Sequence, residues 1–293
     1  MFIATLIAKE SLNERDIKTA LTSLEGAGAA IRRQSGLIDG RVLDIFFEGD
    51  PVAVRARLEM IENEIDVAVQ PEANRTKKLL ISDMDSTMIT VECIDELADY
   101  AGIKPQIAEI TELAMQGELD FEEALRGRVA LLKGLKVTAI QQCLDERVKI
   151  MPGAGTLVRT MAQTGATTIL VSGGFTKFAK PVAQAIGFES FHANILEEGA
   201  GLLTGSLEGP IVDSGRKEQL LQSSASGAKL ELGQCLAVGD GANDIPMLER
   251  AGLGIAYHAK PKAAQAADVA IRYNDLTALL YVQGIGADQW VTA

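Results

Sequence analysis

Cysteines are few in this chain and long apolar runs are absent, and each shortage excludes a class of protein. The three cysteines are scattered and form no CxxC pair, so neither a disulfide framework nor a zinc site is indicated. Reduced, buried thiols in a cytoplasmic protein are the expected alternative. No stretch is long enough to span a bilayer, and the N-terminus, which lacks the basic start of a signal peptide, predicts a strand. We therefore expect a cytoplasmic protein without a membrane partner.

Basic residues are outnumbered as well: 28 Lys and Arg stand against 40 Asp and Glu, for a net charge of −12. This balance argues against nucleic acid as a partner, because a phosphate backbone binds to a basic face. A small anionic substrate remains compatible with the charge if a pocket concentrates cations locally. Aromatic residues make up only 4% of the chain, so aliphatic side chains must form most of the core, and 293 residues are enough for two domains.

Residues 1–70 predict a small domain with the order β-α-β-β-α-β, which is a ferredoxin-like α+β sandwich. Asn13 is a candidate N-cap of the first helix, and Asp50-Pro51 is a candidate start of a second helix that continues through Ile65. The order resembles that of ACT-like domains. The resemblance implies a regulatory role or a homodimer formed through this domain, while amino-acid sensing and simple stabilisation stay open.

A different pattern begins after residues 71–77, a polar, proline-containing segment that we interpret as a linker. In residues 78–293, short apolar runs alternate with helical segments, which is typical of a Rossmann-like, doubly wound α/β domain whose parallel sheet is buried on both faces. Roughly eighty residues separate the first two runs, far more than one crossover needs, so we predict an inserted helical cap at about 92–150. A second insertion, at about 194–212, has the glycine turns of a hairpin. Candidate helix starts in the cap are Pro105, Asp120 with Glu123, and Thr138.

Polar groups follow three of the predicted strands at their carboxyl ends, where open parallel sheets bind ligands. They are Asp83 and Asp85 after the first strand, Ser172 and Gly173 after the second, and Asp240, Asn243 and Asp244 after the third. Lys217 lies between the second and third strands, and we expect the whole set to converge. This combination suits phosphoryl transfer, in which Lys217 would neutralise the transferring group while Ser172 and the amide of Gly173 bind its oxygens.

Asp83 is the candidate nucleophile, because an ionised carboxylate needs no base to attack phosphorus and form an aspartyl-phosphate. Asp85, two residues further on, would donate a proton to the leaving alkoxide and then take one from water. Hard oxygen ligands from Asp83, Asp240 and a backbone carbonyl suit Mg²⁺. The pattern therefore predicts a Mg²⁺-dependent phosphatase.

Four blocks in this order are similar to those of the haloacid dehalogenase superfamily and, within it, of the phosphoserine phosphatases. They are DxDST at 83–87, VSGGF at 171–175, Lys217, and GDGANDIPM at 239–247. The resemblance covers residues 78 to about 285 and implies the superfamily's fold, a doubly wound sheet with an inserted cap. The implied reaction is hydrolysis of O-phospho-L-serine to L-serine and phosphate, the last step of serine biosynthesis.

The resemblance also implies a role for each matching residue. Asp83 would be the nucleophile and Asp85 the general acid and base. Mg²⁺ would be held by Asp83, the carbonyl of Asp85, and Asp240. Asn243 and Asp244 would support the metal and the lysine, as groups around a metal site commonly do.

The predicted cap carries the residues that would read the amino-acid end of the substrate. By the same resemblance, Glu92 would meet the ammonium group and Arg128 the carboxylate, for which a guanidinium fork is well suited. Phe121 lies seven residues before Arg128, on the same helix face, and with Met115 would shield the site from water. Arg126, half a turn from Arg128, is expected to face solvent or to play a supporting role.

The sequence does not support two other interpretations, a dinucleotide site and a serine nucleophile, and three more compete with the phosphoserine phosphatase prediction. The glycines of GDGAND do not complete the G-x-G-x-x-G pattern of dinucleotide binding, and Ser172 lacks the glycine two residues earlier that a nucleophile elbow requires. A phosphatase or phosphotransferase for another small phosphate ester would keep the same chemistry. A receiver domain phosphorylated on aspartate, or an amino-acid-binding regulator, would be a protein of another class.

Overall fold

The computed structural model describes residues 1–36, 38–61, 63–116 and 120–292, without the side chains of residues 112 and 114–116. The N-terminal part of the chain forms a four-stranded antiparallel sheet with the order β2-β3-β1-β4 and two helices. Its elements are β1 (Phe2–Ala8), α1 (Glu14–Gly26), β2 (Ala30–Gln34), β3 (Val42–Glu48), α2 (Pro51–Leu58) and β4 (Ile65–Pro71). This is the predicted ferredoxin-like α+β arrangement.

Local capping signals place both helix starts correctly in this sheet-and-helix unit. Asn13 and Asp16 form a capping box at the start of α1, and the side chain of Asp50 accepts a hydrogen bond from the backbone of Val52 at the start of α2. The predicted end of α2 at Ile65 is wrong, since the helix ends at Leu58. Ile65 instead opens β4, where it pairs with β1, so the hydrogen bonds of the sheet override the helical pattern.

The rest of the chain is built around a seven-stranded sheet whose order is β11-β10-β9-β5-β6-β7-β8. All neighbouring strands are parallel except the antiparallel pair β7–β8. The strands are β5 (Leu79–Ser82), β6 (Thr167–Phe175), β7 (Ser190–Gly199), β8 (Leu202–Glu208), β9 (Cys235–Gly239), β10 (Leu253–Tyr257) and β11 (Val269–Ile271).

Alternate residues of the central strands are buried on opposite faces, which explains their almost continuous apolar sequence. Leu80, Leu170 and Val238 belong to one buried cluster, whereas Ile81 and Ala237 belong to another. The doubly wound fold is therefore confirmed. The covering helices are α7 (Ala154–Gln163), α8 (Thr176–Ile186) and α12 (Ala278–Val282) on the first face, and α9 (Ser214–Gly227) and α10 (Ile245–Arg250) on the second; α11 (Pro261–Ala266) follows β10.

The described residues between β5 and β6 form four helices ahead of α7: α3 (Cys93–Ala101), α4 (Lys104–Gln116), α5 (Phe121–Leu131) and α6 (Thr138–Arg147). We call them the cap. Asp120 caps α5 in a capping box with Glu123, as predicted. Thr138 does not cap α6: it is the first helical residue, and the cap position belongs to Val137, which makes no side-chain capping bond.

The second insertion forms the hairpin that its glycine turns predict, and it also extends the central sheet, which the sequence pattern did not predict. Strand β7 first runs parallel to β6 and then pairs antiparallel with β8 through a turn at Ala200 and Gly201, both with positive φ. We call β7, β8 and this turn the hairpin. Because its first strand begins at Ser190, the hairpin is rooted in the central sheet.

The two sheets are packed against each other through the segment predicted as a linker and the C-terminal helix. Arg75 donates to both carboxylate oxygens of Asp44 at 2.7 and 2.8 Å and to the carbonyls of Tyr281 and Val282. Ile7 of the first sheet belongs to the same buried cluster as α12. Within the described ranges, no helix combines the length and apolar character needed to cross a membrane.

Candidate active site

A cavity lies at the carboxyl ends of β5, β6 and β9, beneath the cap. Many of the residues predicted from the sequence line it: Asp83, Asp85, Glu92, Phe121, Arg128, Gly173, Asp240 and Asn243. Lys217, Ser172 and Asp244 lie beneath its wall, where they contact the lining residues. The side chain of Met115 is outside the described part of the chain. The topology therefore gathers strand-end groups that are far apart in sequence.

Lys217 is the fully buried cation of the site, presented by the first turn of α9. Its ammonium donates to Asp83 at 2.5 Å and to Asp244 at 2.7 Å. Burial lowers the pKa of Lys217, but the charges of Asp244 and Asp83 outweigh burial and raise it above the usual value. Lys217 is thus held in its charged form beside the carboxylate that would attack phosphorus.

Asp83 has a pKa raised well above its usual value by burial and by the charge of Asp244, against the opposing effect of Lys217. One buried cation therefore does not balance the carboxylates that surround it. Such a site gains stability from additional positive charge, and a bound divalent cation would supply that charge.

Carboxylate oxygens of Asp83, Asp240 and Asp244 lie within 4.8 Å of one another. Asp244 uses one oxygen on Lys217 and the other on the backbone amides of Asp240 and Gly241. Asp83 and Asp240 each accept only one hydrogen bond from described side chains, from Lys217 and Thr87 respectively. One oxygen of each is thus left for a cation, and hard oxygen donors of this kind fit Mg²⁺.

Asp85 stands apart from that cluster and is held at the start of the cap. It accepts hydrogen bonds from the backbone amide of Cys93 at 3.0 Å and from the hydroxyl of Ser172 at 3.3 Å. Burial, and then the charge of Glu92, raise the pKa of Asp85 to about 6. A carboxyl group with this pKa can both give and take a proton near neutral pH.

The last residues of β6 are shaped by close contacts around two glycines. The regular pairing of β6 with β7 is interrupted between Val171 and Phe175, and we call this irregular segment the Ser172–Gly174 loop. Ser172 is buried and accepts a hydrogen bond from the amide of Gly174 at 2.8 Å. A Cβ at Gly174 would lie 2.8 Å from a carboxylate oxygen of Asp85, so no larger residue fits there without displacing the acid. A Cβ at Gly173 would lie 3.2 Å from the ring of Phe121, which shows how closely the cap approaches this loop.

The cap places Arg128 and Phe121 on the cavity side of α5, and Arg126 on the outside. Arg126 pairs with Glu122 at 2.8 Å on the exposed helix face. Arg128 donates only to the backbone carbonyl of Ala124, at 3.3 Å, among the described residues. Its guanidinium group therefore has donors left for a bound anion.

Glu92 forms the cavity wall at the start of α3. Its carboxylate accepts a hydrogen bond from Ser86 at 2.7 Å and is exposed to solvent. Glu92 occupies the N-cap position of α3 but makes no side-chain capping bond. The carboxylate is thus available to a cationic group in the cavity.

Four contributors to the site were given no role by the sequence reasoning, although two of them, Thr87 and Gly174, lie within its motif blocks. Thr87 donates to Asp240 at 3.1 Å, and Lys260 lines the cavity while its amide donates to the carbonyl of Asp240. The others are Gly174, which lies directly against Asp85, and Asn194, which donates to the carbonyl of Gly173 at 2.7 Å. Lys260 follows β10, so a search of every strand end would have found it. Nothing around Asn194 in the sequence signals its contact.

Known proteins are similar to this chain across both of its sheets. A family model described as haloacid dehalogenase-like hydrolase matches residues 77–252. A curated relative from Schizosaccharomyces pombe, named probable phosphoserine phosphatase, is 39% identical over 285 residues, 95% of this chain and 94% of the relative. A phosphoserine phosphatase from Mycobacterium tuberculosis is 43% identical over 80% of this chain, which spans 58% of that relative's length. The solved structure of a probable phosphoserine phosphatase from Vibrio cholerae has a TM-score of 0.78 at 32% identity, covering 97% of this chain and 86% of that one.

Proposed function

The chain belongs to the haloacid dehalogenase-like hydrolase family, and we propose that it is a phosphoserine phosphatase. The reaction is hydrolysis of O-phospho-L-serine to L-serine and phosphate, the last step of serine biosynthesis. One observation carries the proposal: a single cavity is lined both by strand-end carboxylates beside Lys217 and by Arg128 and Glu92. The first group suits a phosphate ester, and the second suits the carboxylate and ammonium of an amino acid.

In the first step, an oxygen of Asp83 attacks phosphorus while the bond between phosphorus and the serine oxygen breaks. Asp85, in its protonated form, gives its proton to the departing oxygen. Lys217 is already hydrogen-bonded to Asp83 and offsets the negative charge that the phosphoryl group brings into the site. Gly173 and Asn243 line the cavity, and in this proposal the amide of Gly173, Ser172 and Asn243 would bind phosphoryl oxygens.

In the second step, Asp85 takes a proton from water, whose oxygen attacks phosphorus and releases phosphate from Asp83. The pKa of about 6, raised by burial and then by Glu92, allows Asp85 to serve in both steps. Phe121 lies against the loop at Gly173 and would exclude other water.

The donor set fits Mg²⁺, which Asp83, Asp240 and the carbonyl of Asp85 would hold. When bound, the ion supplies positive charge that stabilises the phosphoryl group during transfer. Asp244 holds Lys217 and the amides of Asp240 and Gly241 in place, and so orients the site from below.

Phosphate release from a panel of phosphate esters, with and without Mg²⁺, tests the proposal. The panel contains O-phospho-L-serine, phosphoethanolamine, which lacks the carboxylate, and p-nitrophenyl phosphate. We expect O-phospho-L-serine to have the highest kcat/KM and EDTA to abolish release. Arg128→Ala should lower kcat/KM for phosphoserine by about 10- to 100-fold, because it removes a charged hydrogen-bond partner worth about 1.5–3 kcal/mol. It should leave kcat/KM for phosphoethanolamine within about threefold.

Arg126→Ala is the matched control, since it removes the same group from the exposed face of the same helix. Equal effects of Arg126→Ala and Arg128→Ala would contradict the assignment of Arg128. A wild-type preference for an ester without an amino-acid group would contradict the proposed substrate while leaving the phosphatase chemistry intact.

We further propose that residues 1–70 form a domain that joins two chains. Among the strands that the structure describes, β2 has a neighbour on one side only, and most of its residues are exposed. An unpaired strand edge is a ready template for a second chain. Sedimentation velocity of the full chain should give a dimer at micromolar concentration, and a monomer there would exclude this role.

A further inference from the structure

The hairpin is joined at its base to the loop that lines the phosphate end of the cavity. Asn194 of β7 is buried, with 2% of its surface exposed. Its side chain donates to the carbonyl of Gly173 at 2.7 Å and accepts from the amide of Val212 at 2.8 Å. The peptide of Gly173 is therefore fixed to both ends of the hairpin insertion.

The far end of the hairpin is joined to the cap by backbone hydrogen bonds. The amide of Gly134 donates to Leu203 at 2.8 Å, Leu203 donates to Leu135 at 2.9 Å, and Val137 donates to Gly201 at 3.0 Å. These bonds run between the α5–α6 connection and the start of β8 in the manner of a short strand pair. The hairpin thus contacts both walls of the cavity, the sheet and the cap.

Gly205 of β8 lies directly against the last turn of α5. A Cβ at this position would be 3.1 Å from the carbonyl oxygen of Ala130, 3.3 Å from its Cα and 3.0 Å from the Cβ of Lys133. Gly205 also has φ +85°, a conformation that favours glycine. Ala130 is two residues after Arg128, so any added atom at Gly205 pushes on the helix turn that carries the arginine.

We propose that the hairpin sets the distance between α5 and the Ser172–Gly174 loop, and that Gly205 is a positioning residue for substrate recognition. The proposal rests on the proposed function, because the recognised group is the amino-acid end of the ester. The loop side is fixed through Asn194, and the helix side through the backbone contact at Gly205. Since Arg128 belongs to the cap and the reacting carboxylate to the sheet, their spacing depends on this bridge.

Gly205→Ala tests the proposal, with Gly209→Ala as the matched control. Gly209 lies just after the hairpin with φ +72°, so its substitution causes similar backbone strain, but a Cβ there meets nothing within 4 Å. A misplacement of 1 Å can cost about 10²-fold, so the smaller shift expected here should raise KM for O-phospho-L-serine about tenfold in Gly205→Ala. The kinetic constants for p-nitrophenyl phosphate should stay within about twofold, and Gly209→Ala should leave KM unchanged.

A second variant reports on the same bridge without adding an atom at the glycine. Val137→Pro removes the amide that donates to Gly201, and the φ of −57° at Val137 suits proline. We expect the same rise in KM for phosphoserine. Thermal melting shows whether each variant is folded before its constants are compared.

Hydrogen exchange separates this inference from the proposed function. Amides of α5 and the α5–α6 connection should exchange faster in Gly205→Ala than in Gly209→Ala, whatever the substrate proves to be. Equal exchange rates of these amides in the two variants would contradict the proposal that the hairpin holds α5 in place. Faster exchange in Gly205→Ala together with an unchanged KM for phosphoserine would contradict the role of Gly205 in substrate recognition. If the wild-type enzyme has no preference for phosphoserine, the proposed function is wrong. The exchange rates would still show whether the hairpin holds α5 in place.

Discussion

Asp83→Asn abolishes phosphate release, with an expected loss of at least about 10⁴-fold, the scale seen when a nucleophile is removed and only binding and charge stabilisation remain. The amide has nearly the same shape as the carboxylate and can still accept the hydrogen bond from Lys217. It cannot attack phosphorus as an anion. The loss would therefore come from chemistry and not from a collapsed site.

The same substitution should not destabilise the protein in the absence of metal. Burial and Asp244 raise the pKa of Asp83 despite Lys217, which means that the fold disfavours its ionised form. A neutral residue at position 83 removes one of the crowded negative charges. We expect the Tm of Asp83→Asn without Mg²⁺ to equal or exceed that of the wild type.

Rapid quenching with ³²P-labelled phosphoserine, followed by denaturation, measures the covalent species directly. The wild type should yield labelled protein, whereas Asp83→Asn should yield none. Asp99→Asn is a suitable control, since Asp99 is an exposed cap residue paired with Arg147. Labelled protein recovered from Asp83→Ala, which cannot revert by deamidation, would show that another residue is the nucleophile.

Features that depend on neighbouring residues were predictable from the sequence. Asn13, Asp50 and Asp120 cap helices through bonds that span two or three residues, so a short window contains the whole signal. The buried strands were found because a run of aliphatic residues is needed wherever both faces of a sheet are covered. The end of α2 was missed because it depends on β4 pairing with β1, which lies far away in the sequence.

The residues of the site also fall into those that the sequence predicts and those that it does not. Asp83, Asp85 and Asp240 could be predicted because the strand-end rule of parallel sheets converts sequence position into spatial position. Asn194 could not, since its contact with Gly173 arises from the way β7 leaves the sheet. The close approach of Gly205 to Ala130 is likewise visible only when the cap and the hairpin are placed together.

Asp85→Asn should lower turnover of phosphoserine by roughly 10²–10⁴-fold, the usual contribution of a general acid or base. Asparagine can still accept from the amide of Cys93 with its oxygen, and its NH2 group can donate to the hydroxyl of Ser172 in place of the second carboxylate oxygen, so the geometry of the loop is kept. What it cannot do is deliver a proton to the serine alkoxide or accept one from water. Both steps of the proposed reaction are affected, but to an extent that depends on the leaving group.

p-Nitrophenyl phosphate separates the two steps, because p-nitrophenolate leaves readily without a proton. In Asp85→Asn, attack by Asp83 on this ester should stay fast while hydrolysis of the aspartyl-phosphate becomes slow. Stopped-flow absorbance should therefore show a burst of about one p-nitrophenolate per active site, followed by slow turnover. With phosphoserine the first step itself needs the acid, so quenched samples should contain little phosphoenzyme.

Comparison of the two esters in one variant makes the test independent of any general damage to the fold. General damage to the fold would lower the turnover of both esters alike and produce no burst. A burst with phosphoserine as large as that with p-nitrophenyl phosphate would show that Asp85 does not protonate the serine oxygen. Rapid steady turnover of p-nitrophenyl phosphate without a burst would show that water is activated by another group. The raised pKa of Asp85, caused by burial and then by Glu92, gives one carboxyl group access to both protonation states, and this experiment asks whether the chain uses both.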